Sequence, residues 1–480
     1  MCCSCCGVLQ RKIWLFGSAT LFLILGIVLT IWGPGFTENL VDDMLVLKEG
    51  STTYEKWTNI PVPVYLQMYM FNWTNGEEVQ KNGAKPNFER VGPYVFREIN
   101  IKTNITWYEN KTISFIPQRT WHFEPEMSAG SLEDLLTAPH IPSLAASSFV
   151  RDQSKFIKKI FNNLLNSNGG ALYQTHTVNE WLFEGFYDEF LAFAKKQNNS
   201  LAPPIPSDHF AFLLNRNGST DFEGTFTIHT GQNSLREMGE IKLWNGHNHT
   251  GHFEGECGRI NGSTGELFVP KRDPNEYITV FNRDACRIIN LKPIGRDTFR
   301  GIEGIHYETQ RDTFDSGTLN PNMKCYCREP DNCPKPGATD LSNCAEGVPM
   351  YLSHVGFMYA DPSYANTTTG HKPIEDNDKF YIILEPRLGI PLKMNIAIQI
   401  SIRIQPDKDI TILKDIKEFY APLFVGKTSG EVDEKLARKI KVKLKIKVLT
   451  NASTIASYTG IALIILSIIL FSVDYLSKTM

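Results

Sequence analysis

Two apolar segments, Ile13–Trp32 and Ile455–Val473, bracket this chain, and neither contains a charged residue. Each is about the 20 residues that an α-helix needs to cross a bilayer's hydrocarbon core. A chain pinned at both ends places what lies between on one side of the membrane. The expected layout is a cytoplasmic N-terminus (1–12), a transmembrane helix (13–32), one large outer domain (33–454), a second transmembrane helix (455–473) and a cytoplasmic C-terminus (474–480).

Sidedness rests on flanking charge. Arg11 and Lys12 precede the first segment, and basic residues favour the cytoplasmic end; Trp14 and Trp32 suit the two interfaces. A cleaved signal peptide is the rival, but the apolar run is long and no small-x-small site follows it. Gly33-Pro34-Gly35 instead breaks the helix. One signal points the other way. Lys435, Arg438, Lys439, Lys441, Lys443, Lys445 and Lys447 all precede the second segment, and only Lys478 follows it. The charge rule weakens for long translocated domains, and the first helix dominates. Both termini are therefore read as inside.

Nine N-x-[ST] sequons lie in the large loop, at Asn72, Asn104, Asn110, Asn198, Asn217, Asn248, Asn261, Asn366 and Asn451. Their confinement to this loop fits glycosylation in the secretory pathway. All but Asn451, which sits next to the membrane, are expected to carry glycans.

The ten cysteines divide by compartment. Cys2, Cys3, Cys5 and Cys6 sit beside the first span on the reducing side, where reversible palmitoylation is the expected chemistry. Zinc is the competing reading, though no histidine lies in that tail. Cys257, Cys286, Cys325, Cys327, Cys333 and Cys344 fall in the oxidising compartment and imply three disulfides, with the pairing left open.

Short stretches rich in β-formers recur between Gly, Pro, Asn and Asp: Val62–Phe71, Val91–Arg97, Ile113–Phe123, Thr225–Thr230, Tyr277–Phe281, Phe380–Leu384 and Ile396–Ile404. In the last, isoleucines alternate with Ala397, Gln399, Ser401 and Arg403, the period of a half-buried strand. A mainly antiparallel β domain is expected. Helical spacing covers Phe149–Leu165 and Val178–Lys196, and Ser131-x-x-Asp134 has the form of a capping box. Phe149, Phe156, Ile160 and Leu164 would form the apolar stripe of the first helix. Arg151, Lys155, Lys158 and Lys159 would form a cationic face, with Lys195 and Lys196 ending the second helix.

Further along, the residues resemble a known family. Tyr69-Met70-Phe71-Asn72-Trp73-Thr74-Asn75, Gly92-Pro93-Tyr94-Val95-Phe96-Arg97-Glu98, Asp284-Ala285-Cys286-Arg287, Cys325-Tyr326-Cys327, Ser353-His354-Val355-Gly356-Phe357 with Ala360-Asp361, and Glu385-Pro386-Arg387-Leu388-Gly389 follow in order. The chain resembles the class B scavenger receptor (fatty-acid-translocase-like) family, and its Cys-Cys-Ser-Cys-Cys start is similar to insect croquemort-type members. That resemblance implies an antiparallel β-barrel-like ectodomain with α elements, a helical apex and an apolar tunnel carrying lipid toward the bilayer. It implies disulfides Cys257–Cys325, Cys286–Cys344 and Cys327–Cys333. It also implies a cell-surface receptor at the plasma membrane, taking up lipids or promoting phagocytosis. Partners would be fatty acids, sterols or phospholipids, lipoproteins, and apoptotic or microbial surfaces; homo-oligomers are open. The apical cations would attract anionic particles.

Other motifs are weaker. Lys441, Lys443, Lys445 and Lys447 alternate with apolar residues over Ile440–Leu449, which reads as a lysine-protected edge strand. His247-x-His249-x-x-His252 lies in a Gly-rich loop and is read as free of metal. No nucleophile elbow, zincin helix, Walker loop or dinucleotide fingerprint is present, so no enzyme and no cofactor is expected, nor a nucleic-acid partner. Within the family, a chemosensory-neuron coreceptor and a lysosomal cargo receptor are alternatives, though Asp474–Met480 holds no acidic dileucine signal. A two-helix ligand-gated channel is the alternative from another class.

Overall fold

The computed structural model describes residues 3–33, 42–197, 205–329, 333–448 and 452–476. Among these, six helices exceed eight residues: α1 (Cys3–Ile31), α2 (Ile141–Phe149), α3 (Lys155–Ser167), α4 (Glu189–Gln197), α5 (Glu434–Val448) and α6 (Ala452–Leu476). The chain forms two compact units, one from Met1–Tyr54 with Asp433–Met480 and one from Glu55–Val432.

In the terminal unit α1 and α6 pack together along small residues. A Cβ on Gly26 would lie 2.7 Å from the Gly460 carbonyl, and one on Gly33 2.9 Å from the Ala456 Cβ. Such residues let helix backbones approach closely without a hydrophobic driving force. Ser467 Oγ donates to the Ala19 carbonyl at 2.7 Å, and Phe16 meets Phe471 at 5.7 Å between ring centres. Outside the seam, Ile13, Leu21, Ile24, Ile461, Ile465 and Ile468 are exposed. Ile13–Ile31 and Ile455–Ser472 are long and apolar enough to cross a membrane, and the pair fits a two-span membrane protein. Pro34, Gly35, Cys2, Asn451 and Lys478 lie outside the described residues, as do the side chains of Arg11, Lys12, Cys3, Cys5 and Cys6.

The lysine run is not a strand. It forms α5, because Asp433 Oδ1 accepts from the Leu436 N–H at 2.6 Å and starts a helix. Ala437, Ile440 and Leu444 are buried at i, i+3 and i+7, whereas Val442 is 55% exposed. The same letters carry a helical period as well as an alternating one. The side chains of Lys443, Lys445 and Lys447 lie outside the described residues, as does Leu449.

The larger unit is built on a 13-stranded antiparallel sheet. Its strands are β1 (Val64–Trp73), β2 (Phe88–Trp107), β3 (Thr112–Phe123), β8 (Phe226–His229), β9 (Ile241–Trp244), β10 (Ile278–Asn282), β11 (Arg287–Phe299), β12 (Ile302–Glu308), β13 (Ala338–Asp340), β14 (Met350–Ser353), β15 (Tyr381–Glu385), β16 (Ile390–Ile404) and β17 (Phe419–Glu431). Pairs β4 (Leu135–Pro139) with β5 (Tyr173–Thr177) and β6 (Phe186–Tyr187) with β7 (His209–Phe210) stand apart. The main path runs β10-β11-β12-β15-β16-β17-β1-β2-β3-β8-β9. Apart from the lysine run, every β stretch expected from the sequence is present. The closed barrel is not: among the described residues the path is open, with β10 and β9 at its ends. These short strands do not pair with each other. Single bridges from Ser263 reach Glu240, next to β9, and Val280 in β10.

Three disulfides, Cys257–Cys325, Cys286–Cys344 and Cys327–Cys333, brace the loops around β10 and β13. They are the pairs that the resemblance implies. They bury Cys257 and Cys286 beside Phe253 and Tyr326.

The helical region departs from expectation in two places. Phe149–Leu165 is not one helix. Residues 150–154 form a turn, and Ser154 restarts the chain as α3 by accepting from the Ile157 N–H at 3.4 Å. Val178–Lys196 is broken by Gly185, at φ 81°, and resumes as α4 only after Asp188 Oδ1 accepts from the Leu191 N–H at 2.7 Å. Asp134 Oδ2 does accept from the Ser131 N–H at 3.0 Å, but strand β4 follows, not a helix.

Candidate functional site

The first candidate surface lies on the middle of the sheet. β16, β17 and β1 are adjacent, and their register sets Ile398, Gly426 and Met68 in one row. Directly opposite residues share a face, so Ile396, Thr428 and Leu66 flank that row on one side. Ile400, Phe424 and Met70 flank it on the other. On a central strand this apolar face should be filled. Yet Met394, Ile396, Ile398 and Ile400 are only partly buried, and a Cβ at Gly426 would meet nothing within 4 Å. Glycine inside a strand often marks a close approach by a ligand or another backbone. The space above Gly426 is open and lined by aliphatic side chains.

The opposite face of β16 is the packed one. Ala397, Gln399 and Ser401 are fully buried. Gln399 Oε1 accepts from the Gly356 N–H at 2.9 Å, and Asn395 Nδ2 donates to the carbonyls of Asn377 and Lys379 at 3.0 and 2.6 Å. The alternation seen in the sequence is therefore real, but over residues 395–401 its polarity is reversed. There the small and polar residues are buried, and Ile396, Ile398 and Ile400 stay half-buried at the edge of a core cluster. Beyond the bulge at Ser401 the isoleucines Ile402 and Ile404 are fully buried.

The second candidate surface is α3, and it too is reversed. Phe156 is 71% exposed and Ile160 44%, with Phe149, Ile157 and Leu164 exposed beside them. The inward side holds Leu165, which is fully buried, and Phe161, edge-on to Phe190. The expected cationic face is largely taken up by the loop 405–411. Lys158 Nζ donates to Asp407 Oδ2 at 2.7 Å, with little of either side chain exposed. Lys155 lies 3.9 Å from Asp409, and Asn162 Oδ1 accepts from the Thr411 N–H at 2.7 Å. Arg151 is not on the helix; its guanidinium reaches the Gln405 carbonyl at 3.5 Å. Lys155 and Lys159 remain exposed at the rim of the apolar patch. Lys195 and Lys196 are exposed at the end of α4, with Lys195 3.9 Å from Asp208.

Sequence reasoning passed over one buried constellation. His140 Nδ1 meets Ser143 Oγ at 2.7 Å, and Nε2 meets Asp188 Oδ2 at 2.8 Å. All three residues are buried, so the chain of hydrogen bonds pins the start of α2 to the start of α4 and offers no nucleophile to a substrate. Two further histidines, His354 and His371, are buried with one ring nitrogen each on Thr309 and Thr368. Burial pushes their pKa values down to about 3 and about 4. In the expected histidine loop, His249 Nε2 lies 3.0 Å from the Gly255 carbonyl and His252 Nδ1 2.8 Å from that of Asn343.

The sequons separate by environment. Asn104, Asn110, Asn217, Asn248 and Asn366 are exposed, Asn72 and Asn261 are half-buried, and Asn198 lies outside the described residues. Asn217 is tied by both amide atoms to the Trp121 backbone, at 2.8 and 3.2 Å.

A two-span membrane protein with a large antiparallel sheet, aliphatic open space and three disulfides is the class that this geometry defines. The chain belongs to the CD36 family, the class B scavenger receptors, whose model matches residues 17–473. It is 31% identical to Protein peste of Drosophila melanogaster over 85% of this chain and 73% of that protein. It is 30% identical to Scavenger receptor class B member 1 of Mus musculus, over 86% and 80%. Lysosome membrane protein 2 of Homo sapiens is 28% identical over 88% and 86%. The family's receptors are not enzymes.

Proposed function

We propose that this protein is a cell-surface receptor that captures lipid-bearing particles and passes lipid toward its own membrane. The open, aliphatic space over Gly426 carries the reading. Holding an acyl chain in water costs about 0.8 kcal/mol per CH₂, so a carrier needs a dry apolar lining. Half-buried Ile396, Ile398 and Ile400 supply one on a rigid central strand. Family membership supports a tunnel along this face, with the sheet curving toward a barrel that Ser263 bridges.

Capture falls to the exposed apolar patch of α3. An apolar helix face rimmed by Lys155 and Lys159 matches an interfacial helix, which sinks into a lipid surface and holds anionic head groups at its edge. The ligands are fatty acids, sterols or phospholipids, lipoproteins, and apoptotic cells or microbial surfaces. The ectodomain faces outward with glycans on its sequons, and the N-terminal cysteines carry palmitate within.

The test is expression in cells lacking relatives, with labelled fatty acid, modified lipoprotein and apoptotic cells as cargo. Current-free uptake of at least one is the expected result. Ligand-evoked current without uptake would favour a channel.

A further inference from the structure

A half-open cleft of about 350 Å³ lies at β2, next to the strand that carries Met68 and Met70, lined by Asn72, Gly92, Tyr94, Gly130, Asp134 and Leu135, among others. Its volume is near the lower end of small-molecule sites, which suits one ring and not a long acyl chain. Its walls are fixed. The Tyr94 hydroxyl and the Ser131 N–H both donate to Asp134 Oδ2, at 3.1 and 3.0 Å. Among the described residues no donor is paired with Asp134 Oδ1. A Cβ at Gly130 would lie 2.2 Å from Asp134 Oδ2, and one at Gly92 2.8 Å from the Met68 carbonyl. Those two walls can only be bare backbone. Leu135 is 68% exposed and gives the cleft an apolar edge.

Asn72 belongs to the Asn72-Trp73-Thr74 sequon. Its Oδ1 accepts from the Thr137 N–H at 3.0 Å, which fixes the orientation of the amide. Nδ2 is then the atom left for the cleft, and Nδ2 is the atom that N-glycosylation modifies. We propose that this cleft seats the first N-acetylglucosamine of a glycan on Asn72, making that sugar part of the folded structure.

The chemistry leaves the existing contacts intact. A bond forms between Nδ2 and C1 of the sugar as the bond from C1 to a lipid-linked pyrophosphate donor breaks. Nδ2 loses one proton, and Oδ1 still accepts from Thr137. Transfer precedes folding, so the fold must only leave room for the ring. Asp134 Oδ1 accepts from a sugar hydroxyl or N–H, and Leu135 covers one ring face. Asn248 and Asn366 are exposed on loops and serve as the comparison. The proposal rests on the outward-facing reading above.

The test uses the full chain from secretory cells, with glycopeptide mass spectrometry and a timed digestion by an amidase that removes N-glycans. Asn72 should be occupied. On the folded protein its glycan should be released roughly tenfold more slowly than those at Asn248 and Asn366, as expected for one or two retained hydrogen bonds. After denaturation all three should be released alike. Leu135→Ser, and independently Asp134→Asn, should speed release at Asn72 alone. Equal rates on the folded protein, or a bare Asn72 beside occupied Asn248 and Asn366, would overturn the proposal. Absence of sugar at all three would overturn the outward-facing reading itself, and the proposal with it.

Discussion

Lys158 of α3 and Asp407 form an ion pair of 2.7 Å, and that pair decides which way the helix faces. With Lys158 turned to the protein, Phe156 and Ile160 are turned to solvent. Removing one partner of a buried pair leaves the other charge uncompensated. Lys158→Ala should therefore destabilise the ectodomain by about 3 kcal/mol, whereas Lys159→Ala should stay within about 0.5 kcal/mol. Lys158→Met with Asp407→Leu should recover most of the loss. Denaturant midpoints of the purified ectodomain measure all three.

Capture should depend on the apolar patch more than on charge. Phe156→Ser and Ile160→Ser should each weaken binding to lipid vesicles roughly tenfold, the loss expected from one buried apolar side chain. Lys155→Glu with Lys159→Glu should weaken binding to anionic vesicles only, by about fivefold per charge, and the effect should fade at high salt. Vesicle co-sedimentation with neutral and anionic lipid separates the two. Equal losses on neutral vesicles from the lysine changes would count against this division.

Stability should fall with acid. His354 and His371 have folded-state pKa values of about 3 and about 4, below the unfolded value of about 6.5. The unfolded chain therefore binds more protons below that value. The stabilisation is complete above pH 6.5 and is lost as pH falls toward 4 and then 3. At pH 5 the loss is about 2 kcal/mol per histidine. Thermal melts at pH 7.4 and pH 5 should show it, and the slope should flatten in His371→Gln.

The sequence showed the elements more clearly than their orientation. The two spans and the strand segments of the sheet carry local signals and are found, whereas the cysteine pairing, left open by spacing, came only from the family resemblance. What local signals cannot carry is the identity of the neighbour. The alternation of Ile396–Ile404 announces a strand with two unlike faces, but only the polar groups at Gly356, Asn377 and Lys379 show which face is packed. The lysine run supports two periods, and Asp433 decides between them. Two breaks were legible: Ser154 after Asp152-Gln153 is an N-cap signal, and Gly185 before Asp188 marks a restart. Gly426 gave no sign at all, because an isolated glycine in a strand looks the same over a filled core or an empty one.

The lipid route makes the sharpest demand, and it falls on Gly426. A Cβ there meets nothing within 4 Å, so the first atom of a side chain enters open space. Gly426→Phe should leave folding, surface level and particle binding unchanged while filling the space between Ile398 and Met68. The measurement is transfer of labelled lipid from bound particles into cells, normalised to bound particle. Transfer cut roughly tenfold at unchanged binding is the result predicted for a blocked apolar path. Unchanged transfer, with the phenylalanine verified in place at the cell surface, would contradict it.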